Sequence, residues 1–182
     1  MTQTLPEAFQ VLLSLVNSRD LGAGTEALPD VEACRAWFRA HHFREDPTFA
    51  HRDVAAVHHL REGIRALWLA HNEGAMDERA VEHLNAILRA VDFHWQVEPT
   101  MDLAPHLTDR DRTTYRGQLV ALLVAASQHP HWSRLKACQH PACRWAFYDQ
   151  SRNHSHRWCS MATCGSREKA RRYRERQRPP GE

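Results

Sequence analysis

The sequence predicts a mainly α body carrying one small β-hairpin, an α+β arrangement, followed by a small four-cysteine finger that ends in a basic helix. Three observations lead there. Apolar residues recur at helical spacing in successive stretches ahead of residue 130. The stretch Val91 to Val97 alternates instead, and carries Phe93 and Trp95, the period of a strand with one apolar face. Four of the 5 cysteines then crowd into the last quarter of the chain, ahead of an arginine-rich run.

Each element has a local cause. Phe9, Leu12, Leu13 and Val16 give a first helix over Pro6 to Val16, broken by the polar run Asn17 to Asp20 and a loop at Gly22 and Gly24. Asp30 is placed to cap a second helix bearing Val31, Cys34, Trp37 and Phe38. Pro47 marks the next boundary. From about Arg52 to His71, the residues Val54, Val57, Ile64, Leu67 and Trp68 form one apolar face. Asp77 caps a further helix with Val81, Leu84, Ile87 and Leu88. After the strand, Pro99 and Thr100 turn the chain, and Met101 to Leu103 returns as a short partner. Thr108-x-x-Asp111 resembles a capping box with Asp in place of Glu or Gln, and one helix follows it to about Gln128. Pro130 closes that helix. The expected division is a helical body over 1–130 and a finger over 134–178.

Charge divides the chain in the same place. The formal net charge of +2 hides 12 arginines against 18 acids in residues 1–133, a net of −6, and 12 basic residues against 4 acids in residues 134–182, a net of +8. A basic tail on an acidic body points to a polyanionic partner. The excess of Arg over Lys also suits a GC-rich genome, but that bias does not explain the scarcity of acids in the tail. The longest apolar run, Leu119 to Ala126, is too short to span a bilayer. With no leader pattern at the N-terminus, the expectation is a cytoplasmic chain with no membrane partner. A reducing cytosol disfavours structural disulfides. Cys34, outside the cluster, reads as a buried core thiol.

The cysteines follow the pattern Cys138-x4-Cys143-x15-Cys159-x4-Cys164. Two short pairs joined by a hairpin-sized spacer can fold into a tetrahedron of thiolates, the donor set that zinc prefers. Disulfides, a redox switch and an iron–sulfur cluster are the rival readings of the same spacing. Fourteen histidines add His140, His154 and His156 inside the finger, as spacer residues, phosphate contacts or substitute ligands. Directly after Cys164 come Arg167, Lys169, Arg171, Arg172, Arg174, Arg176 and Arg178, against only Glu168 and Glu175. At 100° per residue, Arg167, Arg171, Arg174 and Arg178 form one stripe, with Tyr173 and Ala170 available to dock the helix. Pro179, Pro180 and Gly181 would stop it. A solvated, partly disordered basic tail is the bland alternative.

The segment Arg157 to Lys169, RWCSMATCGSREK, resembles the CGNR zinc finger of bacterial transcription regulators. The likeness runs through Phe147, Asp149, Ser151, Arg152 and Asn153 after the first cysteine pair. It continues at Arg157, Trp158, Cys159, Ser160, Met161, Cys164, Gly165 and Arg167. Ser166 stands where the family has asparagine, and its hydroxyl lacks the paired donor and acceptor of the amide, while the metal ligands are untouched. The resemblance implies one zinc ion per chain on Cys138, Cys143, Cys159 and Cys164. It also implies double-stranded DNA as partner, read by Arg157, Ser166, Arg167, Lys169, Arg171, Arg172, Arg174 and Arg178.

The body resembles the ABATE domain, a mostly helical partner of that finger in stress-induced transcription regulators. Glu62 and Arg65 sit mid-helix as its Glu-x-x-Arg motif, and Asn17 with Ser18 matches its Asn-Thr position. The resemblance implies that Asn17, Glu62 and Arg65 bind a small-molecule effector. From spacing alone, Glu62 and Arg65 share a helix face and make a surface ion pair worth about 0.3–0.5 kcal/mol. No nucleophile elbow, phosphate-binding glycine loop or paired-carboxylate site is visible, so no enzyme is expected. Operator readers are commonly homodimers, and no heptad or other pairing signal marks one here. The rival functions are a zinc-stapled protein- or RNA-interaction module and a thiol redox sensor.

Overall fold

The computed structural model describes residues 5–177. Several of its helices begin where short polar side chains take up the free N–H groups of a first turn. After α1 (Glu7–Asn17) and a two-rung ribbon of β1 (Arg19–Asp20) with β2 (Thr25–Glu26), Asp30 Oδ1 accepts the Ala33 N–H at 2.9 Å and starts α2 (Val31–Ala40). The long α3 (His51–Ala70) is started by Asp53, whose carboxylate accepts the Ala50 N–H at 2.8 Å. Asp77 caps α4 (Glu78–Arg89) by accepting the Ala80 N–H at 3.0 Å.

The central element is α3. It is buried on more than one face, from Val54 through Ile64 and Trp68 to Leu69, and α4 lies along it. Phe38 of α2 stacks on Tyr115 with ring centroids 3.8 Å apart, and Phe49 packs edge-on against the same tyrosine. These rings fill the core between α2, the loop before α3 and Tyr115.

Two predicted elements are revised. The return strand is not Met101 to Leu103. Instead β3 (Phe93–Val97) pairs antiparallel with β4 (Leu103–Leu107), Val97 opposite Leu103. Met101 is part of the turn, at φ 67, with its N–H on the Glu98 carbonyl. The single helix expected after Thr108 is two. Thr108 caps the short α5 (Asp109–Arg112), and Thr114 restarts the chain as α6 (Tyr115–Ser127) by accepting the Gly117 N–H at 3.0 Å. The Asp111 carboxylate accepts the Asp92 N–H at 3.0 Å, so this cap also ties α5 to the hairpin. Sequence periodicity cannot see such a break, because the four residues of α5 are all charged and mark no apolar period of their own.

The chain then forms β5 (Leu135–Ala137), which pairs antiparallel with β6 (Ala146–Tyr148) around the first cysteine pair. Leu135, Ala137 and Ala146 belong to the same buried cluster as Phe9, Ile64 and Trp68. The first half of the finger is therefore packed into the body's core. The last element is α7 (Ser166–Gln177).

Gly117 is set by the tight junction of α5 and α6: a Cβ there would lie 2.1 Å from the Asp111 carbonyl oxygen. Gly117→Ala should force the two helices apart and lower the unfolding free energy by about 1–3 kcal/mol, measured by urea titration.

Candidate metal centre and nucleic-acid interface

Cys138 follows β5 directly, and its N–H donates to the Trp145 carbonyl at 2.9 Å, closing the hairpin around the first pair. Cys143 sits in the intervening turn, its N–H on the His140 carbonyl at 2.9 Å. The second pair is held by a π-turn over Met161–Gly165 that leads straight into α7. Ser160 Oγ accepts the Thr163 N–H and its carbonyl accepts the Gly165 N–H at 3.0 Å. At Gly165 a Cβ would come within 3.0 Å of Met161 Sδ and 3.3 Å of Trp158, so the glycine lets Met161 fold over the turn.

The four sulfurs all lie within 4.8 Å of one another. Cys143 Sγ is 3.6 Å from Cys159 Sγ, which is 3.8 Å from Cys164 Sγ. Four thiolates about 2.3 Å from a zinc ion would stand about 3.8 Å apart, so the spacing suits a tetrahedral site. All five cysteines are free thiols here, including the four of the cluster. Burial pushes the Cys138 thiol up to about 11, and burial with three sulfur neighbours pushes Cys159 higher still. A dication reverses that balance by pairing with the thiolates. The donor set and its spacing thus fit one zinc ion on Cys138, Cys143, Cys159 and Cys164. Cys34 lies apart, fully buried in the body, with its thiol also raised to about 11 by burial.

A buried ion pair braces the spacer. Lys136 Nζ lies 2.8 Å from Asp149 Oδ2, and the lysine also donates to the His154 carbonyl. Asp149 accepts the Ser151 N–H (2.9 Å) and hydroxyl (2.6 Å) with Oδ1 and the His156 N–H (3.0 Å) with Oδ2. Burial would raise this carboxyl, but Lys136 and Ser151 outweigh it and hold it well below the usual carboxylate range. Asp149 and Ser151 therefore shape the turn, leaving Arg152 and Asn153 exposed.

Arg65 is only 5% exposed, so it is no surface ion pair. Its Nε donates to Glu62 Oε2 at 2.9 Å, Nη1 to the Arg144 carbonyl at 2.8 Å, and Nη2 to the Val16 carbonyl at 2.6 Å. Glu62 turns its other oxygen to Arg61, which is fully buried and grips Glu26 in bidentate fashion at 2.7 and 2.8 Å. Ser18 Oγ accepts from Arg61 Nη1 at 3.0 Å. Asn17 exchanges two bonds with the Ala146 main chain, donating to its carbonyl at 2.9 Å and accepting its N–H at 2.8 Å. Asn17, Glu62 and Arg65 stand at the joint between body and finger, and line none of the three cavities described, of about 410, 380 and 200 Å³.

Sequence reasoning missed the rest of the joint. His71 Nδ1 donates to the Leu135 carbonyl at 2.9 Å. Buried Asn72 donates from Nδ2 to the carbonyls of Ala137 (2.8 Å) and Arg157 (2.9 Å), and its own carbonyl accepts from Gln139. The Arg144 guanidinium folds back onto the carbonyls of Gln139 (3.0 Å) and Cys138 (3.3 Å) within the first knuckle. Arg65 thus supports, through the Arg144 main chain, the same loop that presents the first pair of sulfurs.

Along α7, every described residue except Glu168 is exposed. Tyr173 is 61% exposed, so it does not dock the helix as expected, and Ala170 is exposed too. Glu168 is the inward residue: its carboxylate accepts from Arg171 (2.7 and 2.8 Å) and Arg172 (2.8 Å), which hold it down to about 2. Arg171 also reaches Glu175, so its guanidinium is occupied within the helix. Arg167 and Lys169 have no side-chain partner among the described residues, and Arg174 Nε reaches only the Ala170 carbonyl at 3.3 Å. Ser166 Oγ donates to the Met161 carbonyl at 3.2 Å. Arg157 pairs with Glu73 of the body at 2.8 Å. Arg178 lies outside the described residues.

Two family models match the chain. The one described as "Putative stress-induced transcription regulator" (ABATE) covers residues 10–131, and the CGNR zinc finger covers residues 134–177. No curated protein matches the sequence. Among the described residues, no helix is long and apolar enough to cross a membrane.

Cys159→Ser should lose the zinc and melt α7 while the circular dichroism of the body's helices persists; metal analysis should fall from about one zinc per chain to none. Arg65→Ala should leave buried acceptors at the joint unpaired and cost about 3 kcal/mol or more, with faster amide exchange across residues 144–146 than elsewhere in the finger.

Proposed function

The chain belongs to the ABATE family, and from that premise we propose that it is a transcription regulator that binds double-stranded DNA through α7, with the helical body as the part that senses a signal of stress. The observation that carries this reading is the placement of α7. It leaves a zinc-pinned turn, packs chiefly on that turn, and presents basic side chains on an otherwise exposed helix. A helix polar all round holds its shape by internal ion pairs, here Glu168 with Arg171 and Arg172 and Arg171 with Glu175.

The pairing divides the expected contacts. Ser166 and Arg167, nearest the pinned start, are the candidates for reading base edges. Lys169, Arg172, Arg174 and Arg178 neutralise phosphates, with Arg171 committed first to holding the helix. Arg157, paired to Glu73, lies closer to the body than to the helix and contributes least. Phosphate contacts set affinity and register, whereas base edges set preference. The zinc ion, when bound, supplies no chemistry beyond fixing the start of α7. A protein-interaction module is the second reading, favoured by the exposure of Tyr173 and Met161 on and beside the helix.

With about four phosphates neutralised, log affinity should fall against log salt with a slope of about −3.6. Arg174→Ala should weaken binding to all duplexes and flatten that slope by about one unit, whereas Arg167→Ala should cost about 1–3 kcal/mol of preference for the true site. Fluorescence anisotropy across a salt series reads both. Unchanged duplex affinity when Arg167, Arg171, Arg174 and Arg178 are all replaced would transfer the assignment to a protein partner.

A further inference from the structure

A cavity of about 410 Å³ opens in the body between α3, α4, α5, α6 and the loop that precedes α3, and lies apart from Asn17, Glu62 and Arg65. Its floor is apolar: Phe49, Val57, Leu60, Ile87 and Leu119. The volume is that of a small-molecule site. Arg52, Arg110 and Arg116 also line it, one each from α3, α5 and α6.

The charge balance around this opening is one-sided. Two acids line it, Asp46 and Asp53, and both are spent on the main chain. Asp46 accepts the Thr48 N–H (2.9 Å) and hydroxyl (2.6 Å) with Oδ1 and the Tyr115 N–H (3.0 Å) with Oδ2. Asp53 accepts the Ala50 N–H at 2.8 Å, and Arg52 approaches it no closer than 3.9 Å. The side chains of Arg110 and Arg116 have no hydrogen-bond or ion-pair partner among the described residues. Arg52 and Arg116 also lie in the first turns of α3 and α6, whose dipoles add positive potential at the same place.

We propose that this cavity binds an amphipathic anion, with an apolar chain or ring on the floor and a carboxylate or phosphate head among the three arginines. Its position explains how occupancy reaches the finger. Val57 and Leu60 line the cavity, while Arg61, Glu62 and Arg65, on the next turns of α3, form the ion-pair row from which Arg65 reaches the Arg144 carbonyl of the finger. A ligand that shifts or stiffens α3 changes how firmly Arg65 holds the first knuckle. This second step rests on the regulator reading; the binding step does not.

The probe is 1-anilinonaphthalene-8-sulfonate, an apolar anion whose fluorescence rises on leaving water, titrated into zinc-loaded full-length protein. Saturable binding of one dye per chain is expected, displaced by decanoate or decyl phosphate at least ten-fold more effectively than by decanol. The stronger of the two displacers identifies the head group as carboxylate or phosphate. Arg110→Ala with Arg116→Ala, both exposed and harmless to folding, should remove the preference over decanol. Ala56→Phe should fill the opening and reduce dye affinity at least ten-fold. Dye binding unchanged in both variants, or displacement by decanol as effective as by decanoate, overturns the site. Duplex DNA affinity is then measured with and without decanoate. A ligand-bound protein whose DNA affinity stays the same overturns the transmission through α3 and leaves the site standing, whereas failure to bind duplex DNA at all defeats the regulator reading alone.

Discussion

The structure depends on one buried guanidinium. Arg65 joins the end of α1, the start of the β1–β2 ribbon and the knuckle of the finger, because its donors reach the carbonyls of Val16, Arg19 and Arg144. A buried cation without compensation is costly, and here Glu62 supplies the charge while main-chain oxygens supply the remaining acceptors. Arg61 repeats the solution one turn earlier with Glu26, and Glu62 is shared between the two. The result is an electrically balanced row, two guanidinium groups against two carboxylates, across the meeting place of body and finger. Burial alone would raise Glu26, but Arg61 outweighs it and keeps that carboxyl below its ordinary value.

Zinc and this row perform complementary tasks. The row fixes the first knuckle to the body, together with the apolar packing of Leu135, Ala137 and Ala146. Metal coordination then fixes the second knuckle to the first, and the π-turn passes that position on to α7. Each step leaves the next element less free, and the basic helix is the last and most exposed of the series. Only Glu168 of α7 turns inward, and its two arginine partners keep it ionised at any physiological pH.

Much of this was legible in the sequence. The caps at Asp30 and Asp77 are chemical signals local to a few residues, and both helices start where they should. The cysteine pattern is equally local, since its spacing reports the ligand set directly. The split between α5 and α6 was not legible, because Gly117 and Asp111 meet only in three dimensions. Nor was the place of Tyr173, since an aromatic residue on a charged helix reads as an anchor unless the neighbouring surface is known. The setting of Glu62 and Arg65 was hidden for another reason: their spacing describes a pair, while the partners that define their environment are main-chain atoms from residues far away.

Those main-chain partners have a consequence for how the protein can vary. At the joint, Asn17, Arg65, His71 and Asn72 all come from the body, and each bonds to backbone of the finger segment. Such bonds recognise the path of the strand, not the side chains it carries. A substitution at Arg144 leaves the accepting carbonyl in place, whereas substitutions at Arg65 or His71 remove the donor. For these bonds the burden falls on the body, while the finger's own share rests on its buried Leu135, Ala137 and Ala146 and on Gln139 and Arg157. The finger is free to drift in its outward residues, and thereby to acquire new targets, without any compensating change in the body that holds it.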